Sequence, residues 1–326
     1  MSCGTAGPEG NTVLEDPIQA LTVSRPAPIE PPEWIWELVD RRREAREELP
    51  GGLELRWCGG EDAQLLSVRV ADVRALGAEA FAARTAEAYD AIGRMLGTEL
   101  HPLRLWNFVP GILDPLGGLA HRYMVFNRGR YRACAAWCGG DQNFERRLAT
   151  ASAVGHRGAD LWVHALAGRQ PGRPVENPRQ VSAYRYSARY GPLPPCFARA
   201  TLLAPGRGGE RRLLVGGTAS VRGEDSVFAG SLEDQMGETL ENLRAVVRAG
   251  AQVAARESAA NGTPSGTAGL ERLRDVRIYF VRDADREALA EAGRAAFPEA
   301  RTCELVAAQL CRPELLVEIE ALAELF

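Results

Sequence analysis

From residue 53 onward, apolar positions recur first with period two and then with helical spacing. The alternation predicts strands over 53–57 and 65–70, a helix over 78–96, a strand over 103–110, a helix over 119–130 and a strand near 160–166. A Gly/Pro-rich stretch, 168–178, punctuates the chain, and a similar order follows it. Strands are predicted near 196–203 and 212–219, then a helix over 232–250, a strand over 276–281, a helix over 283–297 and strands over 303–310 and 315–322. The 232–250 helix carries the clearest period, with Met236, Leu240, Leu243, Val246 and Val247 on one stripe among charged residues. After it, 257–269 is rich in Ser, Gly, Thr and Asn without an apolar period, which predicts an exposed loop. Ahead of the first strand, residues up to Pro32 read as a mobile leader and 33–48 as a first helix. The division that follows is a partly mobile leader with its helix (1–48) and two mixed α/β (α+β) halves, 49–180 and 181–326, arranged like a degenerate internal duplication.

Composition narrows the chemistry. The 326 residues are 45% hydrophobic, enough for one large core or two ordinary ones. A net charge of −4 leaves no basic excess for phosphate backbones, which argues against nucleic acid as a partner. All 39 basic residues are Arg, which excludes Schiff-base lysines, pyridoxal phosphate attachment and a Walker-type lysine. Any anion is therefore expected on Arg or backbone amides, and the Arg fork suits planar carboxylates. Seven cysteines form no CxxC pair and four histidines show no metal-ligand rhythm, so neither a metal nor a cofactor is expected. The absence of a signal-like or membrane-length apolar run places the protein, as an expectation, in the cytoplasm with reduced thiols.

Two positions combine charge with apolar surroundings. In the strand near 315–321, Leu316, Glu318 and Glu320 share one face, opposite Leu315, Val317, Ile319 and Ala321. Taken alone, such a strand leaves both acids solvated on an open sheet face. Arg199 lies inside the apolar run Phe197–Thr201, where an unpaired guanidinium is costly, so an anionic partner is expected, from either a salt bridge or a ligand.

The segment from Tyr190 to the C-terminus resembles the Rid (YjgF-type) superfamily. Tyr190-Gly191-Pro192 resembles its entry turn, Gly216-Gly217-Thr218-Ala219 its glycine-containing binding strand, and Arg301-Thr302-Cys303 through Glu318-Ile319-Glu320 its closing signature. Trp106-Asn107-Phe108-Val109-Pro110-Gly111-Ile112, Glu176-Asn177-Pro178 with Tyr184 and Tyr186, and Phe197-Ala198-Arg199-Ala200-Thr201 narrow the resemblance to the chorismatases. These are similar to two Rid-like halves fused in one chain, each a mixed sheet with helices on one face. The resemblance runs from about residue 50 to the end. Leu193 departs from it, standing where some relatives carry a polar or basic residue.

The resemblance implies a cofactor-independent enzyme acting on chorismate, a dianionic enol ether. Loss of its side chain as pyruvate needs an acid that stays protonated near neutral pH and protonates the terminal methylene carbon. The implied acid is Glu318, whereas no role is assigned to Glu320. The implied carboxylate-binding arginines are Arg199, Arg301 and, more distantly, Arg130, with Tyr190 and Tyr184 as hydrogen-bond donors. Relatives that aromatise the ring to 3-hydroxybenzoate resemble this chain in pairing Gly217 with Cys311; those that stop at 3,4-dihydroxycyclohexa-1,5-dienoate tend to carry Ala at both. The expected reaction is therefore chorismate to 3-hydroxybenzoate and pyruvate, with hydrolysis to the diol, or Rid-type imine deamination, as alternatives. A monomer and a homotrimer are both compatible with it.

Overall fold

In the computed structural model, which describes residues 23–24, 30–41, 44–60, 62–118, 120–206, 209–258 and 268–325, the two runs of elements fold into two copies of one topology. The first comprises β1 (Glu44–Leu49), β2 (Leu53–Gly59), β3 (Ala63–Val70), α1 (Ala78–Leu96), β4 (His101–Pro110), α2 (Arg122–Cys138), β5 (Thr150–His156) and β6 (Leu161–Gly168). The second comprises β7 (Arg173–Val175), β8 (Ala200–Leu202), β9 (Arg212–Ala219), α3 (Leu232–Ser258), β10 (Leu273–Phe280), α4 (Arg286–Ala296), β11 (Thr302–Ala307) and β12 (Val317–Glu324). Sheet order is β1-β2-β3-β6-β4-β5 in the first and β7-β8-β9-β12-β10-β11 in the second, where Val23–Ser24 adds a short strand beside β11. In each copy the two strands joined through the second helix are parallel, as a helical crossover requires, and the first of them pairs antiparallel with the strand on its other side.

Alternation along the strands sorts side chains into three apolar layers. In β4, Leu105 and Val109 face α1 and α2, while Trp106 and Phe108 face the second sheet. In β12, Val317, Ile319, Ala321 and Ala323 face α3 and α4, while Leu322 joins Trp106, Tyr279 and Val306 between the sheets. Helices thus cover the outer faces and the sheets pack on each other through their inner ones. The mixed α+β class with two sheet-and-helix halves agrees with expectation.

The seam between the halves is β5. Gly155 exchanges backbone hydrogen bonds with Gln309 (2.7 and 3.1 Å), and the Ala198 amide donates to the Ala149 carbonyl at 3.1 Å. Every residue of β5 is buried. It has small residues on both faces and no apolar alternation, so the sequence reading passed over it.

The helix expected over 33–48 is absent. A short 3-10 turn, Glu33–Glu37, buries Trp34 and Ile35 in the inter-sheet layer, and Glu44–Leu49 is an edge strand. Its Glu, Ala and Arg residues favour a helix intrinsically, but pairing with β2 prevails, and the charged side chains guard the exposed edge. The second helix starts at Arg122 and runs to Cys138 instead of spanning 119–130. Most of the expected leader, and 259–267 of the expected loop, lie outside the described residues.

Candidate active site

A cavity of about 390 Å³ opens where the end of the inter-sheet layer meets the N-terminal end of α2 and the connection between β7 and β8. Glu318, on the inner face of β12, lines it at 5% exposure. Burial, and after it the neighbouring Glu320, pushes the Glu318 carboxyl up to about 8, against the opposing pull of Arg104, Arg199 and Arg312. A group held there is mostly protonated at pH 7.

Three buried arginines line the same cavity: Arg130, Arg199 and Arg312. Arg130 Nε donates to Asn127 Oδ1 at 3.1 Å. Arg199 Nη2 donates to the Val181 carbonyl (2.8 Å) and to the Tyr186 hydroxyl (2.6 Å), and its buried Nε has no partner. Arg312 Nη1 donates to the Glu224 carbonyl (2.8 Å), Ser226 Oγ (3.1 Å) and the Tyr190 hydroxyl (3.2 Å), and its guanidinium lies 4.1 Å from the Tyr190 ring centroid. Among the described residues, none of the three has a carboxylate within ion-pair distance, unlike Arg104, Arg211 and Arg277, which are equally buried and each paired with a glutamate. Buried charge is retained where something compensates it, so this arrangement suits a ligand carrying carboxylates.

Gly217 is required by close approach. In β9 the register with β12 shifts between Val215 and Thr218. There a Cβ on Gly217 would lie 2.0 Å from Glu318 Oε1 and 3.2 Å from Ser152 Oγ. The acid rests in the gap that the missing side chain leaves. Cys311 lines the cavity beside it, and burial, followed by the nearness of Glu318, pushes its thiol up to about 12, so it is a neutral, compact wall and not a nucleophile.

Of the residues singled out from the sequence, the structure brings Glu318, Arg199, Arg130, Tyr190, Gly217 and Cys311 around one cavity. Arg301 lies elsewhere: its side chain is 43% exposed and pairs with Asp275 at 2.7 Å, ahead of β11. The arginine that precedes the final strand and reaches the cavity is Arg312, next to Cys311. Tyr184 also points away, packing edge-on against Phe144 at 5.9 Å, because the 3-10 turn Ala183–Arg185 turns the cavity side to Tyr186. Glu320 is not solvated but buried. Tyr186 stood in a quoted motif without a role, and Arg312 directly follows the Cys311 singled out from the sequence; Ser152, on the unrecognised β5, carried no signal.

Residues 40–167 match the family described as Chorismatase FkbO/Hyg5-like, N-terminal. A 3-hydroxybenzoate synthase of Streptomyces hygroscopicus is 37% identical over 228 residues, covering 67% of this chain and 62% of that protein, so the chain spans less than two thirds of its length. A chorismatase of Streptomyces rapamycinicus is 31% identical over 243 residues, covering 74% of this chain and 70% of that one. A chorismatase crystal structure, 26% identical, superposes with a TM-score of 0.68, covering 85% of this chain and 78% of the other. Among the described residues no helix is long and apolar enough to cross a membrane.

Proposed function

The chain belongs to the chorismatase family, and we propose that it converts chorismate to 3-hydroxybenzoate and pyruvate, with Glu318 as the acid. The observation that carries this reading is a buried carboxyl, raised by its burial, in one cavity with three arginines that have no carboxylate within ion-pair distance among the described residues. Arg130, Arg199 and Arg312 hold the two carboxylates of chorismate, and Tyr186 and Tyr190 keep Arg199 and Arg312 in place. Glu318 gives its proton to the terminal methylene carbon, which becomes the methyl group of pyruvate, and an oxocarbenium ion forms.

Two outcomes follow from the same ion. If no water enters, the C4 hydroxyl oxygen bonds ring C3 as the C3–O ether bond breaks and pyruvate leaves, and its proton restores Glu318. The resulting 3,4-epoxide opens at C4, the C3 proton ends on the oxygen, and the ring becomes aromatic, so the atoms of chorismate equal those of 3-hydroxybenzoate plus pyruvate. If one water adds to the oxocarbenium carbon, the diol and pyruvate result. Gly217 beside Glu318 and Cys311 across from it support the first outcome, because together they shape the space next to the acid.

The test is incubation of the purified protein with chorismate, following pyruvate by a coupled assay and the second product by its ultraviolet spectrum. Pyruvate with an aromatic product is expected; pyruvate with a non-aromatic diol overturns the product, and no pyruvate overturns the activity. A Gly217→Ala variant tests the shape argument. The added methyl meets side chains alone, the end of Glu318 and, less closely, Ser152 Oγ, so the fold is expected to persist while the product ratio moves toward the diol. An unchanged ratio on chromatography removes Gly217 from product control.

A further inference from the structure

Glu318 and Glu320 stand two residues apart on one face of β12, separated by about 7 Å along the strand. Their surroundings differ in kind. Glu320 receives hydrogen bonds from Arg104 Nη2 (2.6 Å), Ser152 Oγ (2.6 Å), Trp106 Nε1 (3.0 Å) and the Tyr279 hydroxyl (3.1 Å). Arg and Trp can only donate, and the Ser152 hydroxyl already accepts from Arg104 Nη2 (2.5 Å) and the Gly217 amide (3.0 Å), so its own proton goes to Glu320. Four donors converge on an acceptor, which describes a carboxylate. Glu318 has instead the Gly217 gap on one side and the cavity on the other.

We propose that Glu320 is a positioning residue for the acid: a buried carboxylate, fixed behind Glu318, whose charge keeps the proton on Glu318 and whose clamp through Ser152 holds the Gly217 backbone where the Glu318 carboxyl fits. This rests on the reading of Glu318 as the acid. The charged and titratable groups facing Glu318 are Glu320 on its own strand, Arg104 on β4, Tyr279 on β10, Tyr123 on α2, Arg199 before β8, and Cys311 with Arg312 before β12. Glu320 is the acid among them, so after burial, the larger cause, its charge opposes the arginines. Two carboxyl groups pushed apart by their environments divide the work, one holding a proton to deliver and the other holding it there.

The test reads Glu318 directly. Infrared difference spectra of the unliganded protein over a pH series follow the carboxylic acid C=O band, assigned by its loss in Glu318→Gln, and kcat with chorismate is measured over the same range. In Glu320→Gln the band is expected to titrate about 1–2 units lower, and the alkaline limb of kcat to move with it. Ser152→Ala keeps the charge and loosens the clamp, so kcat falls while the titration stays in place. If Glu320→Gln does not fold with Arg104 uncompensated, the Arg104→Met/Glu320→Gln pair leaves no orphan charge, and the band is still expected lower, by less. A titration unmoved in the variants lacking Glu320, with kcat lowered equally at every pH, overturns the proposal and leaves Glu320 structural. Absence of pyruvate from the wild-type protein overturns the chorismate reading instead, and the infrared titration still decides the relation between the two acids.

Discussion

Glu318→Gln is expected to lower the rate of pyruvate release from chorismate by about 10²–10⁴-fold, the usual contribution of a positioned general acid. The substitution keeps the shape of the side chain and its place over Gly217 but removes the transferable proton. Because burial already holds the wild-type carboxyl neutral at pH 7, the variant introduces no new uncharged group, so stability and substrate KM are expected to change little. The sign of the pH dependence follows from the same fact. Activity requires the protonated form, so kcat is flat on the acid side and falls as pH rises through about 8. A rate that increases through that range in the wild-type protein, or a Gln variant within a few fold of it, would assign the proton transfer elsewhere.

The acid was legible in the sequence because its face of β12 could be counted, and the resemblance chose between two acids that counting left equal. Their burial was not legible. It arises from the sheet of the first half lying over that face, and β5, which forms the seam, has an amino-acid pattern that specifies no element. The same blind spot hid Ser152. Arg301 and Arg312 both precede a strand of the second half, and sequence order alone does not say which loop turns inward. The turn Ala183–Arg185 reverses the cavity side between Tyr184 and Tyr186. Such errors of one turn or one loop are settled by tertiary packing, whereas α1, whose span agrees with its helical period residue for residue, is settled locally.

Arg199→Met is expected to separate function from stability. In the free protein this guanidinium is buried without a carboxylate, with one nitrogen unpartnered, so the fold bears its desolvation without an ion pair in return. Replacing it with an apolar side chain of similar length is expected to leave thermal stability unchanged or slightly higher, since interiors often tolerate the removal of buried charge in favour of packing. Loss of a buried, hydrogen-bonded charge contact to the substrate costs about 2–5 kcal/mol, or roughly 30- to 5,000-fold in kcat/KM. Arg199→Lys, which keeps charge but not the planar fork, is expected to recover only part of that loss. Arg301→Ala supplies the contrast: it removes the partner of the buried Asp275 and is expected to lower stability, but it lies outside the cavity, so kcat/KM stays within a factor of two or so of wild type. Thermal melts and steady-state kinetics on the three variants test this directly. If Arg199→Met unfolds at a much lower temperature while its kcat/KM persists, the arginine holds the loop at Val181 and not the substrate. The predicted pattern, an equally stable protein that has lost its substrate, is what an anion site built in advance of its ligand requires.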